Sequence, residues 1–591
     1  MKKRQEPGKK QEERRKFSLN LLSDKRFLLL LAVLSLLSVL PLLTTLNYPF
    51  QFDDYPTIFE DPNVDSFNDI FSLKLSERPI RKISIIFDRM LFKDNVSLYR
   101  GENILLYFIT ILLTALLVYR MTKDRAFVVL TLFIFAFHPV HMENVLIITH
   151  RKELFLYIFS MLSFYAHIEK KNILSVVFFF LALFSKEVAV VLPLIYFLYD
   201  RLFKVQINKK LYYVYSGIYL TGIISVTLLS DLTGFYLPSL TNMKEYFSVN
   251  RMLRNADYFD IIKIQPILFV QYIKNLIVPF NLNVDYYIPV TEDINLKWAV
   301  MTILSAAFFA GLYFARKNKI LLFSMLFFVI SYAPLSNFIP VLNLFADRYL
   351  FFPSFALILS LFVVFKNLGR YRYVIYLLAL YYLVVSLSYI PFFKSEKSLW
   401  EYVVSKNGKS VVGLNNLGLF SLKEGDFDNA EKYLIKAVET DSMYGNAYIN
   451  LGTLYAQRRD FRKALIFLEK ANEVEPDNVK ALYNLGLTYM NLGMAQKAQE
   501  TMKNIIRISP ESSLAYNNLG ASHFEEGVMY ESAMKLFYTT MCYGLFPFFI
   551  ENALESYITA KGYFEEGLKM DKSYEKLKQN VERINKKVRG E

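Results

Sequence analysis

The sequence predicts an all-α protein in two parts: a polytopic helical membrane domain, then an α-solenoid of short helical repeats. Three observations predict it. Residues 27–391 are apolar runs broken by short polar hinges. The chain is 54% hydrophobic and 16% aromatic, with 53 Phe and 42 Tyr, well beyond ordinary soluble usage. After residue 391 a Leu-Gly pair returns every 34 residues, ending at Gly418, Gly452, Gly486 and Gly520.

At 591 residues, more than one domain is expected. The one cysteine, Cys542, excludes a disulfide framework and a cysteine-based metal site. A net charge of +14 would suggest nucleic acid in a soluble protein. Here much of the excess flanks apolar runs on the expected cytoplasmic side, so no nucleic-acid partner is expected.

Residues 1–26 form a basic cytoplasmic tail, from Lys2, Lys3 and Arg4 to Lys25 and Arg26. The uncharged run 27–46 has the ~20 residues needed to cross ~30 Å of hydrocarbon, and no small-residue cleavage site follows it. The basic tail places the N-terminus inside, so Asp53 and Asp54 emerge outside. The first outer loop, 47–103, contains an amphipathic stretch at 80–92 that suits an interfacial helix. Further spans are expected near 104–119, 126–140, 154–168, 172–184, 188–199, 211–230, 298–315, 320–333, 351–365 and 373–391. Lys and Arg loops fix their directions. The short piece 266–280, broken by Lys274, Asn275 and Pro279, starts and ends outside as a re-entrant segment. About 11 spans plus that segment place residues 392–591 outside.

This topology gathers on one face every charged interruption that a Lys/Arg loop does not explain. They are Asp53 and Asp54; His138, His141 and Glu143; His150, Arg151, Lys152 and Glu153; Lys186 and Glu187; Asp285; and Asp347 and Arg348. Ionisable groups near membrane depth are costly and usually mark a site. A helix ending at a short turn explains any one of them, but the whole set less well.

After residue 391, Ala430, Ala464 and Ala498 keep the register of the glycines, as do Pro476 and Pro510. A period of 34 with small residues at helix crossings and proline after the second helix is the tetratricopeptide pattern. The repeats occupy 392–550, and a charged helix at 551–591 caps them. Asn416, Asn450, Asn484 and Asn518 share one register on the first helix of each repeat. In tetratricopeptide solenoids that helix lines the groove, so the resemblance implies an asparagine ladder able to bind a peptide backbone. A tolerated helix-start residue is the alternative.

Two histidines three apart, His138 and His141, leave room for a divalent metal with Glu143 or an aspartate as a further ligand. Pro139 between them argues instead for a helix-breaking turn. A metal requirement stays open.

The ordered outer motifs resemble one family, the transmembrane and tetratricopeptide-repeat-containing O-mannosyltransferases, within the GT-C glycosyltransferase superfamily. The residues that carry the resemblance are Phe52, Asp53 and Asp54 with Glu60 to Val64; His138 to Glu143 with Arg151; Lys186 and Glu187; Pro279 to Tyr286; and Ser336 and Asn337 through Ala346 to Leu350 and Pro353. The chain departs from the pattern at His150, where the family tends to have Gly, and at Asp347, where it has Glu. The resemblance implies transfer of a sugar, mannose or another hexose, from a polyprenyl-phosphate donor to an extracytoplasmic acceptor, a protein hydroxyl. A hydroxyl needs a positioned base. Asp53 or Asp54 matches the family's catalytic position, with Asp54 slightly favoured. The leaving lipid phosphate gains charge, and Arg348, Lys186 and Arg151 are the cations that would stabilise it. Glu143, His141, Glu187 and Asp347 are supporting residues, with Glu187 as a partner for Lys186.

Two rival readings are a non-catalytic membrane-anchored repeat scaffold and a flippase for lipid-linked sugars. The first does not need eleven spans with polar residues on one face. The second predicts inverted repeats and midplane charges. The short basic leader points to a bacterial inner (plasma) membrane, with the N-terminus cytoplasmic and the repeats extracytoplasmic.

Overall fold

The computed structural model describes residues 24–61, 63–74, 77–228, 258–288, 290, 295–337, 343–539 and 546–589. Most of the basic tail, Pro62, the stretch 229–257 that ends the seventh expected span, and Cys542 lie outside the described residues. The described residues contain helices and no strand. They form two compact units, Met1–Lys406 and Asn407–Glu591.

In the first unit, α1 (Lys25–Val39) begins where the Asp24 side chain accepts the Phe27 N–H at 3.1 Å. Pro41 then turns it into a 3-10 segment, Leu40–Thr45. The amphipathic stretch of the first loop is α2 (Pro79–Phe92). Next come α3 (Val96–Thr122), capped by Asn95, and α4 (Arg125–Ala136), capped by Asp124. Lys123 turns the chain between them with φ of 60°. The rest are α5 (Arg151–Ile168), α6 (Asn172–Ser185), α7 (Leu192–Leu202), α8 (Lys209–Leu228), α9 (Tyr258–Ile277), α10 (Leu296–Ala315), α11 (Lys319–Tyr332), α12 (Ser354–Asn367), α13 (Val374–Tyr389) and α14 (Glu396–Lys406).

A helix stands at each of the eleven expected span positions. By length and composition, though, four among the described residues are long and apolar enough to cross a membrane: Lys25–Thr45, Val96–Thr122, Leu296–Ala315 and Gly369–Lys394. A fifth is added if α4 and Pro139–Leu146, bent by 52°, count together. Several of the others are shorter because they end at polar turns. For example, α6 stops at Ser185, and α7 has 11 residues, about 16 Å of helix. Two boundaries also differ from expectation. The segment expected to be short and re-entrant is a 20-residue helix, α9, with Pro266 inside it. Residues 392–406 belong to the first unit: the Tyr402 hydroxyl donates to the Leu282 carbonyl at 3.0 Å, and Trp400 packs 5.0 Å from the Phe52 ring.

The second unit is a stack of helix pairs: α15 (Val411–Lys423) with α16 (Phe427–Thr440), α17 (Gly445–Gln457) with α18 (Phe461–Val474), α19 (Val479–Asn491) with α20 (Ala495–Ile508), and α21 (Ser513–Thr539) with α22 (Phe546–Met570). A final helix, α23 (Glu575–Arg589), follows. The glycine period has a steric cause. A Cβ at Gly418 would lie 2.6 Å from Leu434 Cγ, one at Gly452 2.4 Å from Leu468 Cγ, and one at Gly486 2.2 Å from Met502 Cε. Ala430, Ala464 and Ala498 are fully buried at the same crossings. The fourth glycine keeps the close approach but changes partner: Gly520 sits against Phe564, because α21 is twice the usual length. The single charged helix expected over 551–591 is two helices. They break at Asp571, whose side chain accepts the Ser573 N–H.

Gly452→Ala should therefore cost about 1–3 kcal/mol, the usual cost of overpacking. Hydrogen exchange over 445–474 should quicken accordingly. Gly486→Ala should cost less, since the end of the flexible Met502 side chain can move aside.

Candidate functional site

The first outer loop is held from three sides. Arg100 on α3 is almost fully buried and reaches across it. Its Nε donates to the Tyr48 carbonyl at 2.7 Å and its Nη1 to the Leu146 carbonyl at 2.6 Å, while Nη2 donates to the Pro49 carbonyl. Phe50 packs edge-on against Phe59 and Tyr99. Gln51 Nε2 donates to the Phe393 carbonyl at 3.0 Å.

This fixes the two adjacent carboxylates in opposite environments. Asp54 is fully buried. One oxygen accepts the Gln51 N–H and the other the Thr149 N–H, both at 2.9 Å. Burial pushes its carboxyl up against the pull of those two groups and of Arg100. The Asp53 side chain is 48% exposed and lies 3.3 Å from His150 Nε2. Partial burial pushes Asp53 up, but the hydrogen bond from His150 and the charges of Arg348 and Lys152 outweigh it and hold the carboxyl at about 2. Burial depresses His150 itself to about 3, so the ring is neutral and can donate one proton to Asp53. Asp54 thus braces the loop, and Asp53 is the carboxylate open to a substrate.

Behind His150 the polar chain continues. His150 Nδ1 lies 3.6 Å from Glu143 Oε1, which accepts from Arg348 Nη1 at 2.8 Å. Tyr349 next to Arg348 is flanked by two cations: Lys186 Nζ lies 4.6 Å and Arg348 Cζ 5.2 Å from its ring centroid. Lys186 pairs with Glu153 rather than with Glu187. Glu187 instead takes Arg78 at 3.0 Å, at the start of α2.

Other expected site residues lie elsewhere or are already engaged. Arg151 is fully buried. It donates to Asp88 at 2.5 Å, Glu102 at 3.1 Å and Asn103 at 3.0 Å, so it ties α2 to α3 rather than standing open to an anion. Asp347 accepts from Asn275 at 2.7 Å, the Asn283 N–H at 3.1 Å and the Tyr286 hydroxyl at 2.6 Å. Burial still pushes it up to about 6, against those donors. His138 bonds the Leu276 carbonyl, and His141 bonds Phe135 and Ser354. With both rings engaged and Glu143 on Arg348, these residues do not fit a metal. Among the described residues no cluster of three or more His, Cys, Asp or Glu could hold one.

Sequence reasoning placed His150 and Lys152 in the outer polar set without giving either a role, met Tyr349 only within the motif Ala346 to Leu350, and did not single out Arg78 or Arg81. Arg81 lies on the amphipathic stretch, where a basic residue reads as a solvated face, and Arg78 lies just before it.

The four repeat asparagines do share a register, but they are not an open row. Asn450 donates to Asn415 at 2.8 Å and Asn484 to Thr453 at 3.3 Å, so these two amides bond between neighbouring repeats. Asn518 is buried beside Asn517, while Asn416 is half-buried.

Two classes of protein resemble this geometry and sequence. Residues 413–442 and 445–478 match one tetratricopeptide repeat family, and residues 467–500 match a second of the same description. The C-terminal unit is a tetratricopeptide-repeat solenoid. The larger likeness is to the curated Protein O-mannosyl-transferase F38B6.6 of Caenorhabditis elegans, 27% identical over 453 residues. The alignment covers 70% of this chain and 63% of that protein, so the chain spans less than two thirds of its relative's length. Among solved structures, it is similar to YrrB, a TPR protein with an unusual peptide-binding site, at 18% identity and a TM-score of 0.22, covering 31% of this chain and 97% of YrrB. MamA 41-end from Desulfovibrio magneticus RS-1 is 15% identical, with a TM-score of 0.24, covering 36% of this chain and 95% of that one.

Asp54→Asn would leave one backbone N–H facing an amide that cannot accept at both ends. Its expected effect is a loss of about 1–3 kcal/mol of stability. A lowered unfolding temperature of the purified protein would show it.

Proposed function

We propose that this chain is a membrane glycosyltransferase. It moves a sugar, mannose or another hexose, from a polyprenyl-phosphate donor to a hydroxyl of a protein acceptor, and its repeats recruit that acceptor. The observation that carries the reading is a half-exposed Asp53, held low in pKa, on which Arg348 and Lys152 act from separate segments. The likeness to an O-mannosyl-transferase supports the same reaction class. The site faces the non-cytoplasmic side of a bacterial inner membrane, where a lipid-linked sugar is presented.

In this reading the acceptor oxygen attacks the sugar C1 while the bond from C1 to the phosphate oxygen breaks. The hydroxyl proton passes to Asp53. The donor phosphodiester carries one negative charge and the departing lipid phosphate two. The second charge on the phosphate replaces the one Asp53 loses on protonation, so charge balances across the step. A carboxyl held near 2 is a weak base. Arg348 and Lys152 help hold it there, so a donor phosphate bound beside them raises Asp53 towards useful basicity. His150 orients Asp53 through its neutral ring. Glu143 orients Arg348.

Asp53→Asn should lower kcat by about 10²–10⁴-fold, the usual worth of a general base, with little change in donor KM. Transfer from a synthetic panel of polyprenyl-phosphate sugars would measure it and name the sugar. If the variant transfers sugar at the wild-type rate, Asp53 is not the base. A folded wild type that uses no donor shifts function to the repeats as a scaffold.

The acid limb should be equally telling. A depressed carboxyl stays ionised above its pKa and is lost only as pH falls through it. In the free protein that point is about 2. Donor kcat/KM should therefore show no fall assignable to Asp53 between about pH 7 and pH 4, taking an ordinary carboxyl at ~3.9 as the reference. A wild-type inflection near pH 6 that Asp53→Asn removes would contradict it.

A further inference from the structure

Most cations around Asp53 already have a carboxylate. Arg78 holds Glu187, Lys186 holds Glu153 and Arg348 holds Glu143. Arg81 and Lys152 do not. Among the described residues neither makes an ion pair, and Arg81 Nε is buried with no hydrogen-bond partner. Among the described residues the Arg81 side chain makes one hydrogen bond, a long one from Nη2 to the Glu77 carbonyl at 3.4 Å.

The two lie at one junction. Arg81, Ser84 and Asp88 share a face of α2, three and four residues apart. Arg151 at the start of α5 donates to both Ser84 and Asp88. That pins the first turn of α5, with Lys152 next in sequence, against the α2 face that carries Arg81. Burial, then the charges of Arg78, Arg81 and Arg348, hold the Lys152 ammonium well below its usual value, and Asp53 feels both Lys152 and Arg348. Burial, then the Arg78 charge, depresses the Arg81 guanidinium to about 10, a sign of crowded positive charge. A lysine in the first turn of a helix also opposes the helix dipole. An anion bound there would relieve both penalties.

We propose that Arg81 and Lys152 form the seat of the donor's phosphate group and hold the lipid phosphate left after transfer. This rests on the glycosyltransferase reading above and deepens it. A phosphodiester with one negative charge arrives, and a monoester with about two leaves. Arg81 and Lys152, whose depressed ammonium is favoured in its protonated form as an anion arrives, match the charge of that product. The fork of Arg81 suits two phosphate oxygens and Lys152 one more. Arg348 acts on Asp53 and steadies the site without being the main phosphate ligand.

Binding of sugar-free polyprenyl phosphate to the purified full chain in detergent tests this directly. Arg81→Gln and Lys152→Gln should each weaken binding about tenfold or more, as expected for a charge-assisted hydrogen bond. Arg81→Lys, which keeps the charge, should bind closer to wild type than Arg81→Gln. Asp53→Asn should bind at least as tightly as wild type although its transfer is slowed about 10²–10⁴-fold. Inorganic phosphate should compete poorly, since the lipid supplies the rest of the contact. Unchanged binding by both Gln variants, each monodisperse on gel filtration, would overturn the seat while leaving the transferase reading intact. Equal competition by inorganic phosphate would overturn the lipid source. A wild type that binds no polyprenyl phosphate would overturn the donor reading together with the seat.

Discussion

The structure around Asp53 depends on one buried guanidinium. Arg100 has no carboxylate partner in its bonds. It holds three backbone carbonyls, two from the first loop and one from the turn after α4. A buried charge that satisfies carbonyls is worth keeping only if those carbonyls are then fixed. They are, and the loop and the 142–150 turn are joined through it. Asp54 closes the same joint from the other side by accepting the Thr149 N–H. Asp53 and His150 therefore meet because their neighbours do. The stretch 47–61, whose one α-helix is the five-residue Asp54–Ile58, would otherwise present its carboxylates in many orientations.

Much of the architecture could be read without coordinates. The 34-residue period gave the solenoid, and the clash distances at Gly418, Gly452 and Gly486 explain why glycine recurs there. The apolar runs gave helices in the expected places. Legibility failed where helices end. Hydropathy averages over a window and cannot see that α6 stops at Ser185 so that Lys186 can turn inward, or that α9 tolerates Pro266. The candidate site was legible as a set of charged turns but not as a set of pairs. Neighbours in sequence suggested Lys186 with Glu187, yet partners come from 33 and 109 residues away. Asp53 and Asp54 could not be ranked from position, because what separates them is which one the backbone N–H groups reach.

The charges form a graded arrangement. Deepest are pairs that neutralise each other, such as Arg151 with Asp88. Next come pairs that orient, such as Glu143 with Arg348. Last come Arg81 and Lys152, which make no ion pair among the described residues, beside the half-exposed Asp53. Isolated buried charge is expensive, so a protein keeps it where a ligand completes the pairing. Desolvation by that ligand also strengthens each interaction at the moment of transfer. The same logic explains why His150 is neutral: a third positive group beside Asp53 would hold the base still lower.

Two contacts of the first loop reach across almost the whole first unit. Gln51 bonds the Phe393 carbonyl, 342 residues later, and Phe52 rests on Trp400. On the ribosome, residues 50–54 emerge early, yet their braces are synthesised only after the last apolar helix. The loop made first is completed last. A nascent chain that stalls before residue 393 lacks both braces, and its first loop has only the earlier contacts, such as those to Arg100 and Thr149.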